Sequence, residues 1–200
     1  MANVLYEFND FPRERELVGK LLIAYGELEF AIMGCLRAVL DDDVNTATRI
    51  LFRVRGEDAR IKVADAIMRP AYQKLNLGPK WACAYGAART CKNIRNQYAH
   101  CHWQVWDDKL HFMNLDTEVQ AAEGPLQVTM IPLSFQLLDD HVTYFEYALD
   151  WFYYLSSEYQ KRVGRISTHN QVEPKSIAAP PLHNLPKKAS PSPPDKESGS

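Results

Sequence analysis

One long amphipathic segment near the start of the chain constrains the fold most. Between Leu17 and Val39, apolar side chains recur every three or four residues, which keeps one face of a helix apolar. Charged residues inside this stretch, among them Lys20 and Glu27, exclude an ordinary membrane-spanning helix. A helix of this length buries its apolar face against other helices, so the segment predicts an all-α helical bundle.

A second stripe on the same helix consists mostly of small residues. Its members are Ala24, Glu27, Ala31, Gly34 and Ala38. Small side chains allow another helix to approach closely, because the distance between two helix axes depends on the side chains at the contact. The sequence leaves open whether that helix belongs to the same chain or to the second subunit of a homodimer.

Four further helices are expected before residue 166. Their predicted ranges are about 45–54, 57–75, 79–100 and 134–163. Asp43 or Asn45 is expected to cap the second helix, and Ser134 the last, because short polar side chains accept hydrogen bonds from free backbone N–H groups. Pro70 should kink the third helix or end it early. The fold class predicted is a bundle of about five helices.

After the fourth helix, the apolar residues change from a helical to an alternating pattern. Trp103 and Phe112 belong to two alternating runs that flank Asp107-Asp108-Lys109, a sequence that favours a turn. These runs predict a β-hairpin inserted between the fourth and fifth helices. A short strand is also expected at 128–131.

The composition changes near Thr168. From there to Ser200 the chain has seven prolines and no aromatic residue. Such a segment buries too little apolar area to offset its chain entropy. The sequence therefore predicts a helical domain at 1–166 and a disordered tail at 167–200, which is either an unselected linker or a docking segment for a partner.

Charge and cysteine spacing limit the function further. The formal net charge is −2 at pH 7, so any contact with RNA should be local. The four cysteines form no CxxC pair, and the one tight cluster, His100-Cys101-His102, lacks a second half. No metal and no cofactor are predicted. The segment from Met1 to Pro12 has no apolar run typical of a signal peptide, which predicts a cytoplasmic protein without a membrane partner.

The predicted fourth helix carries the most informative polar residues. They form a stripe of Tyr85, Arg89, Lys92, Asn96 and His100 along one side, flanked by Arg95. This stripe has cations and no acidic residue, whereas a solvated helix face usually mixes both signs. An ordinary exposed face and an anion-binding face both remain open on these residues alone.

The end of this helix, Arg95-Asn96-Gln97-Tyr98-Ala99-His100, has the form R-N-x-x-x-H and resembles the ribonuclease motif of HEPN domains. HEPN domains are bundles of four or five helices with the motif near the end of a late helix. The resemblance covers 14–163 as architecture but only six residues as motif. It implies a metal-independent endoribonuclease of toxin or defence type, a composite site in a homodimer, and an antitoxin protein as a further partner.

The resemblance also assigns roles to residues. His100 would be the general acid/base, Arg95 would clamp the phosphate, and Asn96 would orient the phosphate or His100. The substrate-binding residues would be Arg89, Lys92 and Tyr98. These residue types suit the reaction, because histidine exchanges protons near neutral pH and arginine presents a planar fork of donors to phosphate oxygens.

Geometry places one condition on this assignment. On an ideal helix Arg95 and His100 would be about 140° apart. They meet at one phosphate only if the helix ends near His100 or if a second subunit supplies one of them. The alternative function is a non-catalytic HEPN-like module that binds a nucleotide, an RNA or a protein partner through the same cationic face.

Overall fold

The computed structural model of the chain describes residues 6–114 and 130–183. The described residues form a short 3-10 helix at Tyr6–Phe8, five α-helices and three β-strands. The helices are α1 (Pro12–Val39), α2 (Val44–Arg53), α3 (Glu57–Lys74), α4 (Gly78–Tyr98) and α5 (Phe135–Arg162). The strands are β1 (His102–Trp106), β2 (Lys109–Met113) and β3 (Ile131–Pro132). The predicted fold class, a helical bundle with a small β insertion, is confirmed.

The two longest helices, α1 and α5, form the centre of the bundle. Each has 28 residues, and they pack against each other along their length. Leu28 of α1 and Phe152 of α5 are almost completely buried, and side chains of this kind each contribute roughly 1.5–3 kcal/mol when buried. Ala31 and Ala38 of the small-residue stripe are buried as well. These two alanines therefore serve packing within the chain.

The predicted helix caps and breaks can be compared with the structure directly. Asp43 accepts a hydrogen bond from the Thr46 backbone N–H at 2.9 Å, and Ser134 accepts one from Leu137 at 3.3 Å, so both caps are confirmed. Pro70 does not end α3, which continues to Lys74. The last turn of α3 is retained because it carries Tyr72, which is fully buried in the core.

The three strands form one antiparallel sheet in the order β1-β2-β3. Trp103 pairs with Phe112, and Asp107 and Asp108 form the two-residue turn of the predicted hairpin, each with φ 51°. Two positive φ angles are typical of the turn that matches the twist of a two-residue hairpin. Ile131 lies in β3, whereas positions 128 and 129 of the predicted third strand fall outside the described residues.

Residues 167–183 have no helix or strand, but they contact the bundle. His169 lies 2.8 Å from Glu158 of α5, Glu173 pairs with Lys80 of α4 at 2.5 Å, and His183 is only 6% exposed. The part of the chain that packs on the bundle therefore extends beyond the boundary predicted at residue 166. Histidine side chains make these contacts, and the low apolar content of the segment did not predict them. Residues 184–200 of the predicted tail lie outside the described residues.

Candidate functional site

The R-N-x-x-x-H motif lies where α4 gives way to the sheet. The helix ends at Tyr98, two residues earlier than predicted, because Ala99 adopts an extended conformation with ψ 136°. His100 follows with φ 64°, in the left-handed region, and the chain enters β1 at His102. Arg95 thus belongs to the last helical turn and His100 lies outside the helix. The angle of about 140° around the axis of an ideal helix therefore does not apply to Arg95 and His100.

The side chains of Cys101, just before β1, and of Asn114, just after β2, close the end of α4. The Asn114 side chain donates a hydrogen bond to the backbone carbonyl of Asn96 at 3.0 Å. The Cys101 thiol donates to the carbonyl of Gln97 at 2.7 Å. Burial raises the pKa of Cys101 to about 12, which keeps this thiol protonated and able to donate. Because helix ends leave carbonyls unpaired, these bonds fix the backbone on both sides of His100.

Arg95 is half-buried and is held by three neighbours. Its Nη1 atom lies 2.7 Å from the Glu57 carboxylate of α3 and donates to the Asn96 side-chain oxygen at 3.1 Å. The guanidinium group lies 5.4 Å from the centre of the Tyr25 ring of α1. The structure therefore brings the side chains of Arg95 and Asn96 into contact. These contacts fix the orientation of the guanidinium group.

His100 is exposed at the surface of the bundle. Within the described part of the chain it makes no hydrogen bond or ion pair, so its imidazole is accessible to a molecule in solution. It does not hydrogen-bond Arg95 within one chain. The two residues lie five positions apart in the sequence, Arg95 in the last turn of α4 and His100 beyond the helix. They are therefore not held together as a pair before substrate binds.

The cations of α4 face acidic residues of α3. Lys92 pairs with Asp58 at 3.0 Å, and hydrogen bonds from Lys62 and then Lys92 lower the pKa of Asp58 to about 2. Arg89 is exposed and lies 6.0 Å from the centre of the Tyr85 ring. The stripe of α4 has no acidic residue of its own, but carboxylates of α3 lie beside its cations, so this surface of the bundle carries both signs of charge. The acids come from another helix, which the pattern of α4 does not reveal.

Tyr98, predicted to contact substrate, is buried at the end of α4. Its hydroxyl group lies 2.9 Å from Nδ1 of His141 on α5 and 2.7 Å from Nδ1 of His183 in the C-terminal segment. Burial raises its pKa well above the usual value, so the hydroxyl stays protonated. Its side chain thus faces two histidines, neither of which sequence analysis selected. No local pattern singles them out, because His141 follows two aspartates on α5 and His183 lies in a proline-rich segment.

A cluster of ionisable groups lies behind Arg95, where α1 and α3 meet. Arg60 of α3 forms an ion pair and a hydrogen bond with Glu29 of α1. The Tyr25 hydroxyl is buried there without a hydrogen-bond partner among the described residues. Burial, followed by the charges of Glu57 and Glu29, raises the pKa of Tyr25. Arg95 is therefore the outermost cation of a network that connects α1, α3 and α4.

Comparisons with protein-family models, with curated proteins and with solved structures found no match to this chain. Over residues 6–114 and 130–183, no three His, Cys, Asp or Glu side chains lie close enough together to hold a metal ion. In the same ranges no helix combines the length and the apolar character needed to cross a membrane. The resemblance of the six-residue motif to HEPN domains therefore stays a prediction from the sequence.

Proposed function

We propose that this chain is a metal-independent endoribonuclease of HEPN type that acts as a toxin or defence protein in the cytoplasm. The observation that carries the proposal is the arrangement at the end of α4. Arg95 is held in one orientation by Glu57 and Asn96, and His100 is exposed just beyond the helix, on a turn whose carbonyls are capped. This arrangement suits a reaction on a substrate that binds from solution.

The proposed reaction is attack by a ribose 2′-oxygen on the adjacent phosphorus atom. The 2′-hydroxyl loses its proton as the new P–O bond forms, and the bond from phosphorus to the 5′-oxygen breaks as that oxygen gains a proton. His100 exchanges one of these protons, because imidazole gains and loses protons near neutral pH. Arg95 stabilises the charge that develops on the phosphate oxygens. The products are a 2′,3′-cyclic phosphate and a 5′-hydroxyl.

The ion pair with Glu57 is compatible with this role of Arg95. A guanidinium group carries five N–H donors, and the contacts of Arg95 to Glu57 and Asn96 are both made through Nη1. Asn96 lies beside the guanidinium group and would help to orient the phosphate. Arg89, which is exposed, would steer the RNA backbone towards the site.

A specific observation favours a second candidate function. Glu57 and Asp58 place two carboxylates beside Arg95 and Lys92, which weakens the local attraction for a polyanion. A non-catalytic helical module could use these ion pairs for structure and bind its partner elsewhere. Such a module would need the fold of α4 but would not need an exposed histidine at position 100.

A cleavage assay separates the two functions. Purified protein in EDTA is expected to cut single-stranded RNA and to leave DNA of the same sequence intact, because the nucleophile is the 2′-hydroxyl. A protein that binds the RNA without shortening it would support the module instead. Failure to bind or cut either nucleic acid would contradict both RNA-directed functions.

We also expect the chain to form a homodimer, as the composite site requires. Ile23 and Phe30 lie seven residues apart on α1, and they are 70% and 59% exposed. Residues at this spacing share one helix face, which can bury itself against a second copy of the chain. Light scattering after size exclusion should give twice the mass of one chain at tens of micromolar.

Charged substitutions on this face of α1 test whether it forms the dimer contact. The double variant Ile23→Glu, Phe30→Glu should be monomeric. Val172→Glu places the same charge at an exposed apolar position on the C-terminal segment instead of α1, and should remain dimeric. A wild-type protein that is strictly monomeric in ordinary salt would rule out the composite site.

A further inference from the structure

The C-terminal strap, which we define as residues 169–183, is attached to the bundle at both of its ends. At the first end, His169 Nε2 lies 2.8 Å from the Glu158 carboxylate of α5. At the other end, His183 is buried beside Tyr98 at the end of α4. The chain between these two histidines is largely exposed, and Val172 is 82% exposed. The strap therefore depends on a small number of polar contacts for its position.

The protons in the His183 contact can be assigned from the hydrogen-bond chemistry alone. The Ser134 backbone N–H points at His183 Nε2 at 2.9 Å, and a backbone N–H can only donate. His183 Nε2 must therefore be bare, which places the proton of the neutral ring on Nδ1. That Nδ1–H then donates to the Tyr98 oxygen at 2.7 Å.

The contact of His141, at the other end of this series of hydrogen bonds, requires the same direction of proton donation. His141 Nε2 lies 2.8 Å from the carbonyl oxygen of Pro181, which can only accept, so this nitrogen carries the proton. His141 Nδ1 is then bare and accepts the Tyr98 O–H at 2.9 Å. The Ser134 N–H thus requires a neutral His183, and the Pro181 carbonyl requires a proton on His141 Nε2. Because the Tyr98 oxygen accepts from His183, its own O–H is left to donate to a bare His141 Nδ1, so the two neutral rings have opposite tautomers.

Gln97, a residue of the motif, holds the backbone of His183. Its side-chain N–H₂ group donates to the His183 carbonyl at 2.7 Å, and its side-chain oxygen accepts from the His183 N–H at 3.0 Å. This pair of bonds satisfies both backbone groups of a buried residue. Docking of the strap therefore fixes a side chain that lies between Asn96 and Tyr98 on α4.

A second proton on either ring breaks this arrangement. A proton on His183 Nε2 would face the Ser134 N–H, so two donors would oppose each other. A proton on His141 Nδ1 would face the Tyr98 O–H and leave that hydroxyl without an acceptor. Buried donors without acceptors are costly, and a buried charge is more costly still.

We propose that the C-terminal strap is a pH-operated latch on the end of α4, docked while His141 and His183 are neutral and released at its His183 end when either ring becomes protonated. The neighbouring groups support a release driven by these two rings. Among residues 6–114 and 130–183, the charge that acts on His141 is that of Asp140, the Cys101 thiol beside Tyr98 stays neutral, and Gln97 and Ser134 are uncharged. The first anchor persists, because the hydrogen bond from His169 lowers the pKa of Glu158 and so favours its charged carboxylate as the pH falls.

The direction of the pH effect follows from linkage. Burial, followed by the charge of His141, lowers the pKa of His183 from 6.5 to about 4, and burial also lowers the pKa of His141. The released histidine binds a proton more readily than the docked one, so docking is strongest above about pH 6.5. Between pH 7 and pH 4 the docking constant should fall on the order of 10²-fold for His183 alone.

Nitrogen-15 NMR of the imidazole rings tests this proposal on the full-length chain, independently of any ribonuclease activity. Near pH 7, His183 should be neutral with its proton on Nδ1, and His141 neutral with its proton on Nε2. Single His→Gln variants assign the signals of the six histidines. The protection factors of the strap, measured by hydrogen exchange, should then fall by about 10²-fold around residue 183 as the pH falls to 4. The loss of protection at His169 should be smaller.

Two variants make the result decisive. His183→Ala and Gln97→Ala should each leave the end of the strap unprotected at pH 7, while the bundle stays folded by circular dichroism. His111→Ala, on the exposed side of the hairpin, should leave the protection and its pH dependence unchanged. The opposite tautomer on His183, or strap protection that is equal at pH 7 and pH 4, would overturn the proposal.

Discussion

Replacing His100 with alanine is expected to lower the rate of RNA cleavage by about 10²-fold or more, in line with the loss of a general acid/base. The imidazole is exposed and makes no hydrogen bond within the described residues, so its removal should leave the fold unchanged. The rate should be measured in EDTA on one defined RNA, with the variant purified in parallel with the wild type. Melting temperatures of variant and wild type that agree within about 1–2 °C would show that the loss of activity comes from the missing imidazole and not from unfolding.

The neighbouring histidine supplies the matched control for this variant. His102 is also exposed and lies two residues further along, at the start of β1. His102→Ala should therefore cut RNA at close to the wild-type rate. If His100→Ala cuts as fast as the wild type and His102→Ala, the assignment of His100 as general acid/base is wrong.

Arg95→Lys tests the other half of the motif in the same assay. Lysine keeps the positive charge and can still pair with Glu57, but it loses the planar fork of donors that suits phosphate oxygens. Severe loss of activity with an unchanged fold would support the clamp. A fully active Arg95→Lys variant would mean that Arg95 contributes only charge or serves the ion-pair network behind it.

The largest expected effect on stability comes from Trp81 at the start of α4. Trp81 is 1% exposed, its ring centre lies 4.9 Å from that of Tyr72, and its indole N–H donates to Asp65 at 2.7 Å. Trp81→Ala removes this packing between α3, α4 and α5 and takes one donor from the Asp65 carboxylate, which keeps its ion pair with Arg69. The free energy of unfolding should fall by about 3–5 kcal/mol.

An exposed tryptophan in the same chain provides the comparison. Trp106, at the end of β1, is 65% exposed, so Trp106→Ala should change the free energy of unfolding by no more than about 0.5 kcal/mol. Urea unfolding followed by circular dichroism measures both variants without relying on tryptophan fluorescence. Similar losses for Trp81→Ala and Trp106→Ala would contradict the position of Trp81 in the core.

Local patterns predicted the elements of the fold because their causes are local. The apolar period placed α1 and α5, Asp43 and Ser134 marked helix starts, and the Asp107-Asp108 pair marked the hairpin turn. Each of these signals depends on residues within one or two turns of the position concerned. The end of α4 was predicted less well, since it depends on caps from Asn114 and Cys101 that come from the following chain.

The surroundings of the candidate site depend on contacts between distant parts of the sequence. The Arg95–Glu57 pair joins two helices, and the Tyr98–His183 hydrogen bond spans 85 positions. Neither contact leaves a periodic signal, because each partner alone is an ordinary polar residue. The sequence could therefore identify the motif on α4, but it could not show which acids approach its cations or that the C-terminal strap covers Tyr98.

Analysis of the cleavage products tests the proposed function most directly. A short RNA and a copy with a single 2′-deoxy nucleotide at the main cleavage position should be incubated with the wild type in EDTA, and the product ends identified by mass spectrometry. We expect a 2′,3′-cyclic phosphate, or its hydrolysed form, and a 5′-hydroxyl from the RNA, with no cut at the deoxy position. Products with 3′-hydroxyl ends, or a cut at the deoxy position at an equal rate, would contradict attack by the 2′-oxygen and with it the roles proposed for Arg95 and His100.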